Sequence, residues 1–402
     1  MSARALVRLR AFLLVVLAAA CGGDGGGGGN APIVTPNGRN SIPVGAPYAL
    51  SATFSDSSNQ GPWNYEIAWG DGTRSNDSKA NPGPITATHA YAAEGGFNIT
   101  VAVTNAGGNT GTGSLSVNAT NPVLLMAGDI GDCKRGDDEQ TAALIDTMPG
   151  IVVPLGDNAY LDGTPADYAN CYDPTWGRQK ARTRPVAGNH DYNCQPQYIP
   201  ACETPAAGYF GYFGAAAGNP ANGYYSYELG SWFVIVLNTG TDRPVLMEAG
   251  SEQEQWLRGQ LASHSQQCVL ALMHHPRFST TANRSPITLH LAALWNALYD
   301  YGADLVVNGH DHNYQRFAPQ RPDGTLDATV GIRQLTVGTG GGETLYDLGP
   351  IPQGSNLEVR NDQTFGVLKL TLKNGGYDWR FAPAAGATFT DSGSGTCHGR
   401  PM

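Results

Sequence analysis

Two kinds of hydrophobic pattern divide the chain near residue 120. In residues 31–119, short runs of alternating apolar and polar side chains are separated by Gly, Asn, Asp and Pro. A period of two is typical of half-buried strands, and short strands broken by turn residues predict an all-β, immunoglobulin-like sandwich. The predicted strands are Tyr48–Phe54, Tyr65–Trp69, Phe97–Thr104 and Ser114–Asn118.

From Val123 to residue 402 the pattern changes to continuous apolar runs that alternate with helical segments. Such runs are typical of strands buried on both faces, and their alternation with helices predicts an α/β domain with its site at the carboxyl ends of the strands. The predicted strands are Val123–Ala127, Ile151–Leu155, Trp232–Leu237, Val269–Met273, Leu305–Val307, Ile332–Val337 and Phe365–Leu372. Helices are predicted over Asp137–Met148, from a capping box at Ser251 to about Leu261, and from Ser285-Pro286 to Gly302.

The first residues have the pattern of an export signal. Three Arg precede the apolar stretch Ala11–Ala20, which is too short to span a bilayer, so residues 1–20 are predicted to be a cleaved signal peptide. The sequence Leu17–Cys21 resembles a bacterial lipoprotein box, which implies that Cys21 is lipidated and that the Gly-rich residues 21–30 form a tether. The alternative is an ordinary secretory signal with an accidental Cys. We therefore expect an exported, lipid-anchored envelope protein on the periplasmic or cell-surface face, which contacts the membrane only through its anchor.

Composition indicates which partners are disfavoured and whether the protein works in an oxidising compartment. Charged residues make up 14% of the chain and the net charge is −10, without a long Lys/Arg run, which excludes a coiled coil and disfavours nucleic acid as a partner. Besides Cys21 there are six Cys and no CxxC motif, which predicts up to three disulfides in an oxidising compartment; buried free thiols are the alternative. Cys194 and Cys202 are the pair expected first, because the loop between them is short.

Five short motifs at predicted strand ends carry the candidate chemistry. Each alone is weak, because Gly-Asp is an ordinary turn pair, as at Gly70-Asp71. Together they hold five of the nine His, and they offer oxygen and imidazole donors without a thiolate, which suits Fe, Zn or Mn. The motifs are Gly128-Asp129-Ile130-Gly131, Gly156-Asp157-Asn158-Ala159-Tyr160, Gly188-Asn189-His190-Asp191, His274-His275-Pro276 and Gly309-His310-Asp311-His312.

The order of these motifs resembles the purple acid phosphatases of the calcineurin-like metallophosphoesterase superfamily, over about residues 122–402. The resemblance implies a four-layer α/β/β/α sandwich and two metal ions bridged by Asp157. It assigns Asp129, Asp157, Tyr160 and His312 to the first ion, and Asp157, Asn189, His274 and His310 to the second. Generic members of the superfamily have a His where this chain has Gly131, so Tyr160 is expected to bind as phenolate. A phenolate favours Fe(III), with a divalent Zn, Fe or Mn ion in the second position.

The N-terminal segment has a resemblance of its own. Trp69-Gly70-Asp71-Gly72-Thr73, His89-Ala90-Tyr91 and Gly96–Val101 resemble the polycystic-kidney-disease-type (PKD) domain of bacterial surface proteins. The resemblance covers residues 31–119 and implies a spacer or a module that binds a surface polymer. No cluster of His or carboxylates accompanies Asp71, so we expect it to be structural.

The metallophosphoesterase resemblance also implies a reaction. A metal-bound hydroxide attacks phosphorus and His190 protonates the leaving group, the alternative being a His190 that only pairs with Asp191. His275 and Asn158 are candidate substrate contacts, and Arg277, Arg316 and His290 are weaker ones. We expect a hydrolase of small phosphate monoesters. The alternatives are a phosphodiesterase with the same dimetal core and a surface-binding protein with an inert domain.

Overall fold

The computed structural model describes residues 30–399, apart from 195, 198, 201, 241–244 and 283–289. The predicted signal peptide, Cys21 and nearly all of the tether lie outside the described residues, as does the predicted helix start at Ser285-Pro286. Within the described part, no helix is long and apolar enough to cross a membrane.

The N-terminal domain is a sandwich of two sheets, ordered β1-β3-β6 and β2-β8-β7-β4-β5. In β3 every second side chain, from Tyr48 to Phe54, is buried between the sheets, which explains its strict alternation. The four predicted strands correspond to β3, β4, β7 and β8. The strands are β1 Ile33–Asn37, β2 Ser41–Pro43, β3 Tyr48–Ser55, β4 Trp63–Ala68, β5 Arg74–Lys79, β6 Ile85–His89, β7 Gly95–Thr104 and β8 Thr110–Thr120.

The C-terminal domain contains two further sheets. One has the order β10-β9-β18-β19-β20, and the other has the order β11-β12-β13-β14-β16-β15-β17, with β12, β13, β14 and β16 parallel. The strands are β9 Val123–Ala127, β10 Ile151–Pro154, β11 Tyr225–Leu229, β12 Trp232–Val236, β13 Cys268–Leu272, β14 Leu305–Asn308, β15 Tyr314–Gln320, β16 Ile332–Val337, β17 Leu357–Asn361, β18 Gly366–Lys373, β19 Gly376–Pro383 and β20 Ser392–Thr396.

Five α-helices accompany these sheets in the described residues. Ser251 caps α4 by accepting a hydrogen bond from the Glu254 amide, as its motif predicts. The last predicted helix is found as α5, but His290, expected within it, lies in a turn before the helix. The helices are α1 Asp137–Thr147, α2 Pro165–Asp167, α3 Ala207–Phe213, α4 Glu252–Ser263 and α5 Ala292–Asp300.

Strand β12 shows how the layers are built. Trp232, Val234 and Val236 point into the core that the two sheets share, whereas Phe233 and Ile235 pack against α4 and α5. The run is continuously apolar because both of its faces are buried. Helix α1 packs against β18 in the other sheet. The predicted α/β/β/α order of layers is confirmed.

Three disulfides connect segments of the C-terminal domain. The expected pair Cys194–Cys202 is present, and the other two are Cys133–Cys171 and Cys268–Cys397. Cys268 opens β13, so the third disulfide ties the end of the described chain to a central strand. All six predicted disulfide cysteines are therefore paired.

Candidate metal centre

Four of the five motifs lie at the carboxyl ends of β9, β10, β13 and β14, and the fifth, Gly188-Asn189-His190-Asp191, follows no strand. Three motif residues, Asp129, Asp157 and His310, have φ angles of 64°, 50° and 68°. Residues other than Gly rarely adopt positive φ, and such strain concentrates where a site requires it. In the described residues, the only other non-Gly positions with positive φ are Asn59 and Ala206. The chain thus turns sharply just beyond β9 and β10 of one sheet and β14 of the other, and brings side chains from both sheets together.

A first group of donors forms around Asp129. The Tyr160 hydroxyl lies 3.1 Å from Asp129 Oδ1, 3.1 Å from His312 Nε2 and 3.4 Å from Asp157 Oδ2. His312 Nε2 is also 3.2 Å from Asp129 Oδ1. All four side chains are buried. The four residues assigned to the first ion therefore place their donor atoms around one point.

A second group forms around Asp157. Its Oδ2 lies 3.1 Å from His274 Nε2, while His274 Nδ1 donates to the Leu155 carbonyl at 2.8 Å and so fixes the ring. The rings of His274 and His310 have centroids 5.1 Å apart. His275 adds a third imidazole, since its nearest ring nitrogen lies within 4.8 Å of those of His274 and His310.

Asn189 supplies the observation that tests whether this site fits a cation. Its side-chain oxygen Oδ1 is buried and has no hydrogen-bond partner in the described part of the chain. An unpaired buried oxygen is costly, and a bound cation would remove that cost. The surrounding donors are carboxylate, phenol, amide and imidazole, the set that iron, zinc and manganese accept. The residues fit two ions that share Asp157.

The ionisable groups of the centre shift each other's pKa values. Burial works to lower the pKa of His274, but contact with Asp157 outweighs it and raises that pKa to about 9. Burial, together with the charges of Asp129 and Asp157, raises the pKa of Tyr160 well above its usual value. Tyr160 would therefore ionise only beside a strong positive charge. A third group of potential metal ligands lies elsewhere in the domain and consists of Cys268, Asp304 and Cys397. It is not a comparable metal site, because the two cysteines are joined in a disulfide.

His190 lies at the edge of the centre. Its backbone amide donates to Asp157 Oδ1 at 2.8 Å, and its Nδ1 lies 2.6 Å from the Leu161 carbonyl. Because that carbonyl can only accept, Nδ1 carries a proton and Nε2 faces the site, 4.0 Å from Asp157 Oδ2. The side chain is 27% exposed, so a substrate can reach it. The alternative of a His190–Asp191 pair is not what the structure shows.

Asp191 has a structural role that the sequence did not predict. Its buried carboxylate accepts hydrogen bonds from the Gly188 amide, the Asn158 amide and side chain, and the Tyr168 hydroxyl. Burial raises the pKa of Asp191 to about 6. One carboxylate thus joins the loop of Asn189 to the loop of Asp157. Its place directly after His190 was the only sequence signal, and nothing local predicts its four partners.

The same network includes Asn158. Its side-chain nitrogen donates to the Val186 carbonyl and to Asp191, and the residue is 0% exposed. Its buried side-chain oxygen has no partner among the described residues. Asn158 therefore holds two loops together, and a substrate contact through its oxygen stays a prediction. His275 is buried as well, with its ring centroid 4.0 Å from that of His310. A substrate contact through His275 stays a prediction.

The weaker candidates have structural partners. Arg316 pairs with Asp391 and Glu358, and Arg277 donates to the Pro322 carbonyl. Asp311 accepts hydrogen bonds from Ser279 and Thr281 behind the two ligand His. None of these contacts is with a predicted ligand side chain.

Comparison with known proteins identifies both domains. Residues 122–314 match the calcineurin-like phosphoesterase family model, and residues 29–119 match the PKD domain model. The sandwich is also similar to the PKD domain of an M14-like peptidase from a Thermoplasmatales archaeon, with a TM-score of 0.22 and 19% identity, over 23% of this chain and 98% of that one. The chain thus combines an N-terminal PKD-like β-sandwich with a C-terminal metallophosphoesterase domain.

Curated relatives of the chain include plant purple acid phosphatases. Purple acid phosphatase 15 of Arabidopsis thaliana is 26% identical over 48% of this chain and 40% of its own length. Probable purple acid phosphatase 20 of the same plant is 28% identical over 52% of this chain and 51% of its own length. An uncharacterised protein of Mycobacterium tuberculosis is 30% identical over 39% of this chain and 35% of its own length. The chain spans about a third to a half of the length of these relatives. The family implies a two-metal site, and the donor groups around Asp157 provide candidate ligands for one.

Proposed function

We propose that the metallophosphoesterase domain hydrolyses small phosphate monoesters, as a purple acid phosphatase does. The observation that carries the proposal is the convergence of two donor groups on Asp157. The loop that contacts Asp157 through the His190 amide also carries Asn189, whose buried side-chain oxygen has no partner among the described residues. A single metal site would not require a shared carboxylate. A pair of ions sharing one carboxylate is the arrangement used to hold and cleave phosphate esters.

The proposed ligands divide between two ions. The first is held by Asp129, Asp157, Tyr160 and His312, and the second by Asp157, Asn189, His274 and His310. When bound, two such ions polarise the phosphate and make a bound water nucleophilic near neutral pH. The chain holds its ligands in place with its own backbone, since the His310 amide donates to Asp129 Oδ2 and the His190 amide donates to Asp157 Oδ1.

His190 is the proposed general acid. Its Nδ1 proton is held by the Leu161 carbonyl, so the ring can give up a proton only from Nε2, and only when it is doubly protonated. Protonating the departing oxygen lets it leave phosphorus as a neutral alcohol and avoids an alkoxide. His190 is thus positioned as a proton donor by Leu161 and by its own amide.

Matched substrates test the reaction. The metal content of the purified protein is measured together with rates on p-nitrophenyl phosphate and on bis(p-nitrophenyl) phosphate. We expect bound metal and faster cleavage of the monoester. Faster cleavage of the diester would favour the phosphodiesterase, and a metal-loaded protein without turnover of either would favour an inert binding domain.

We further propose Fe(III) in the first position and a divalent ion in the second. Support comes from Tyr160, whose hydroxyl lies within 3.4 Å of Asp129, His312 and Asp157, while Gly131 offers no donor. A phenolate bound to Fe(III) absorbs visible light, so the iron-loaded, oxidised protein should be coloured and Tyr160→Phe should be colourless. Tyr172→Phe is the matched control, because the buried Tyr172 hydroxyl has no partner among the described residues. A coloured Tyr160→Phe variant would exclude the phenolate ligand.

The proposed location is the cell envelope, with the N-terminal domain as a spacer or polymer-binding module. The Leu17–Cys21 sequence supports an anchor, and three disulfides support an oxidising compartment. Phase partitioning in detergent tests the anchor. The full chain should enter the detergent phase and Cys21→Ser should not; equal partitioning of both would exclude a lipid on Cys21.

A further inference from the structure

Two large apolar side chains are exposed beside the metal centre. Leu161 is 43% exposed and Tyr346 is 39% exposed. Tyr346 is the only aromatic residue among the exposed large hydrophobic residues of the described chain. Isolated exposed apolar residues are common, but these two directly contact residues of the proposed site.

Tyr346 is held against a predicted metal ligand. Its ring is stacked on the ring of His312 with centroids 3.9 Å apart and an interplanar angle of 12°. Its backbone amide donates to the His312 carbonyl at 2.8 Å, which fixes the residue next to the site. His312 covers one face of the Tyr346 ring, and 39% of the residue stays exposed, so a second planar group can pack on the part that His312 leaves uncovered.

Leu161 lies next to the proposed acid. Its carbonyl accepts the Nδ1 proton of His190, so its side chain belongs to the residue that orients that acid. Tyr160 links the two exposed residues through their partners, because its ring centroid is 4.6 Å from that of His190 and 6.1 Å from that of His312. Leu161 is therefore exposed beside the acid, and Tyr346 is exposed beside the first metal position.

A carboxylate also lies beside His312 and Tyr346. Glu343 lies 3.8 Å from His312 Nδ1 and is 32% exposed. Its oxygen is 3.5 Å from the Tyr346 hydroxyl. A second phosphate on the substrate would meet this negative charge, whereas an uncharged ring would not. Glu343 thus disfavours substrates that would place a second phosphate beside Tyr346.

We propose that Leu161 and Tyr346 form an apolar subsite for the organic group of the ester, which makes the enzyme selective for phosphate monoesters of aromatic alcohols. The proposal rests on the proposed function of the same site. It adds a substrate class: a single phosphate joined to a planar, uncharged ring.

Phosphonates test the subsite without involving the leaving group, because they have no ester bond to cleave. Dissociation constants of inorganic phosphate, methylphosphonate and phenylphosphonate are measured on the metal-loaded protein by calorimetry and by competitive inhibition. We expect phenylphosphonate to bind about three- to tenfold more tightly than methylphosphonate, the range of one aromatic contact. Tyr346→Ala should bring this ratio close to one, and Leu161→Ala should reduce it less.

Two controls separate the subsite from general effects of substitution. Tyr346→Phe keeps the ring and should keep the ratio. Leu326→Ala removes an equally apolar side chain that is 57% exposed outside the centre, and should leave the ratio unchanged. A ratio near one in the wild type, or a ratio that survives Tyr346→Ala, would overturn the subsite while phosphate binding upholds the proposed function. Failure of inorganic phosphate to bind at all would overturn both.

Discussion

Both domains contain a Gly-Asp pair and a His that contacts the Asp, yet only in the C-terminal domain is the pair part of a candidate metal centre. In the sandwich, Asp71 Oδ2 lies 2.7 Å from His89 Nε2. In the C-terminal domain, Asp157 Oδ2 lies 3.1 Å from His274 Nε2. The local sequences are similar, so the difference between the two pairs comes from their surroundings.

The surroundings of Asp71 leave little free for a ligand. Its carboxylate also accepts from the Thr73 amide and hydroxyl, and the His89 ring is stacked on Trp69 with centroids 4.8 Å apart. The positive φ angles there belong to Gly70 and Gly72, which adopt them without strain.

In the metal centre the Asp itself adopts the positive φ, and its neighbours come from distant strands. The Asn189 oxygen is left without a partner among the described residues. A Gly-Asp pair is therefore a turn when nearby residues satisfy it. It becomes a ligand site when several strand ends leave donor atoms facing one point.

The largest expected effect separates the two aspartates directly. Asp157→Asn keeps the size of the side chain but removes the charge that two ions share, so we expect metal affinity to fall by more than about a hundredfold, with phosphatase activity lost. Asp71→Asn should leave both unchanged. Metal analysis after dialysis and rates on a monoester measure the difference. If Asp157→Asn kept its full metal content after dialysis, Asp157 would not be a metal ligand and would be a turn residue like Asp71.

A smaller loss is expected from Asp191→Asn. The amide would keep one acceptor oxygen but would place a donor where the carboxylate accepts from Gly188, Asn158 and Tyr168. We expect metal affinity to fall about ten- to a hundredfold, measured by competition with a chelator. Asp304→Asn is the matched control, because Asp304 is also buried and accepts from two amides, but precedes β14 at the end opposite His310. Equal losses of metal affinity in the two variants would show that substituting any buried Asp of this domain weakens metal binding.

Gly188→Ala tests the close approach that the metal centre needs. A Cβ at Gly188 would lie 2.1 Å from Asp157 Oδ1, so Asp157 would have to move. We expect metal affinity to fall by about tenfold while the protein remains folded by circular dichroism. At Gly83 a Cβ meets no atom within 4 Å, so Gly83→Ala should bind metal normally. Unaltered binding in Gly188→Ala would mean that the Asp157 position is adaptable.

The smallest effect concerns the sandwich and its pH dependence. Burial works to raise the pKa of Asp71, but hydrogen bonds from Thr73 and His89 outweigh it and lower that pKa to about 2. A lowered pKa stabilises the fold above the usual Asp pKa, and this contribution is lost as pH falls from about 4 to 2. Because Asp71 is partly exposed, we expect less than about 1 kcal/mol. Thermal unfolding of the wild type and Asp71→Asn should differ at pH 6 and converge near pH 2. If the wild type and Asp71→Asn still differed as much in stability at pH 2 as at pH 6, the difference would not come from the ionisation of Asp71.

Local sequence determined the elements that have strong apolar patterns, and it determined the chemistry of the motifs. Trp232–Leu237 is apolar on both faces of its strand, and Ser251 satisfies the amide of Glu254, so both could be recognised without the fold. Strands β5 and β20 could not, because RSNDSK and SGSGT have no apolar alternation. They lie at the ends of their sheets and are defined by hydrogen bonds to a single neighbour.

Only the tertiary structure decided which of these residues act together. Cys268 and Cys397 are 129 residues apart, and Asp129 receives the amide of His310 from 181 residues away. Asn158 holds two loops together, because Asp191 and Val186 accept its side-chain hydrogens. Periodicity reports which face of one element is apolar, but it contains no information on which strand ends become neighbours. The convergence of donors on Asp157 is a property of sheet order, and sheet order is set by long-range packing.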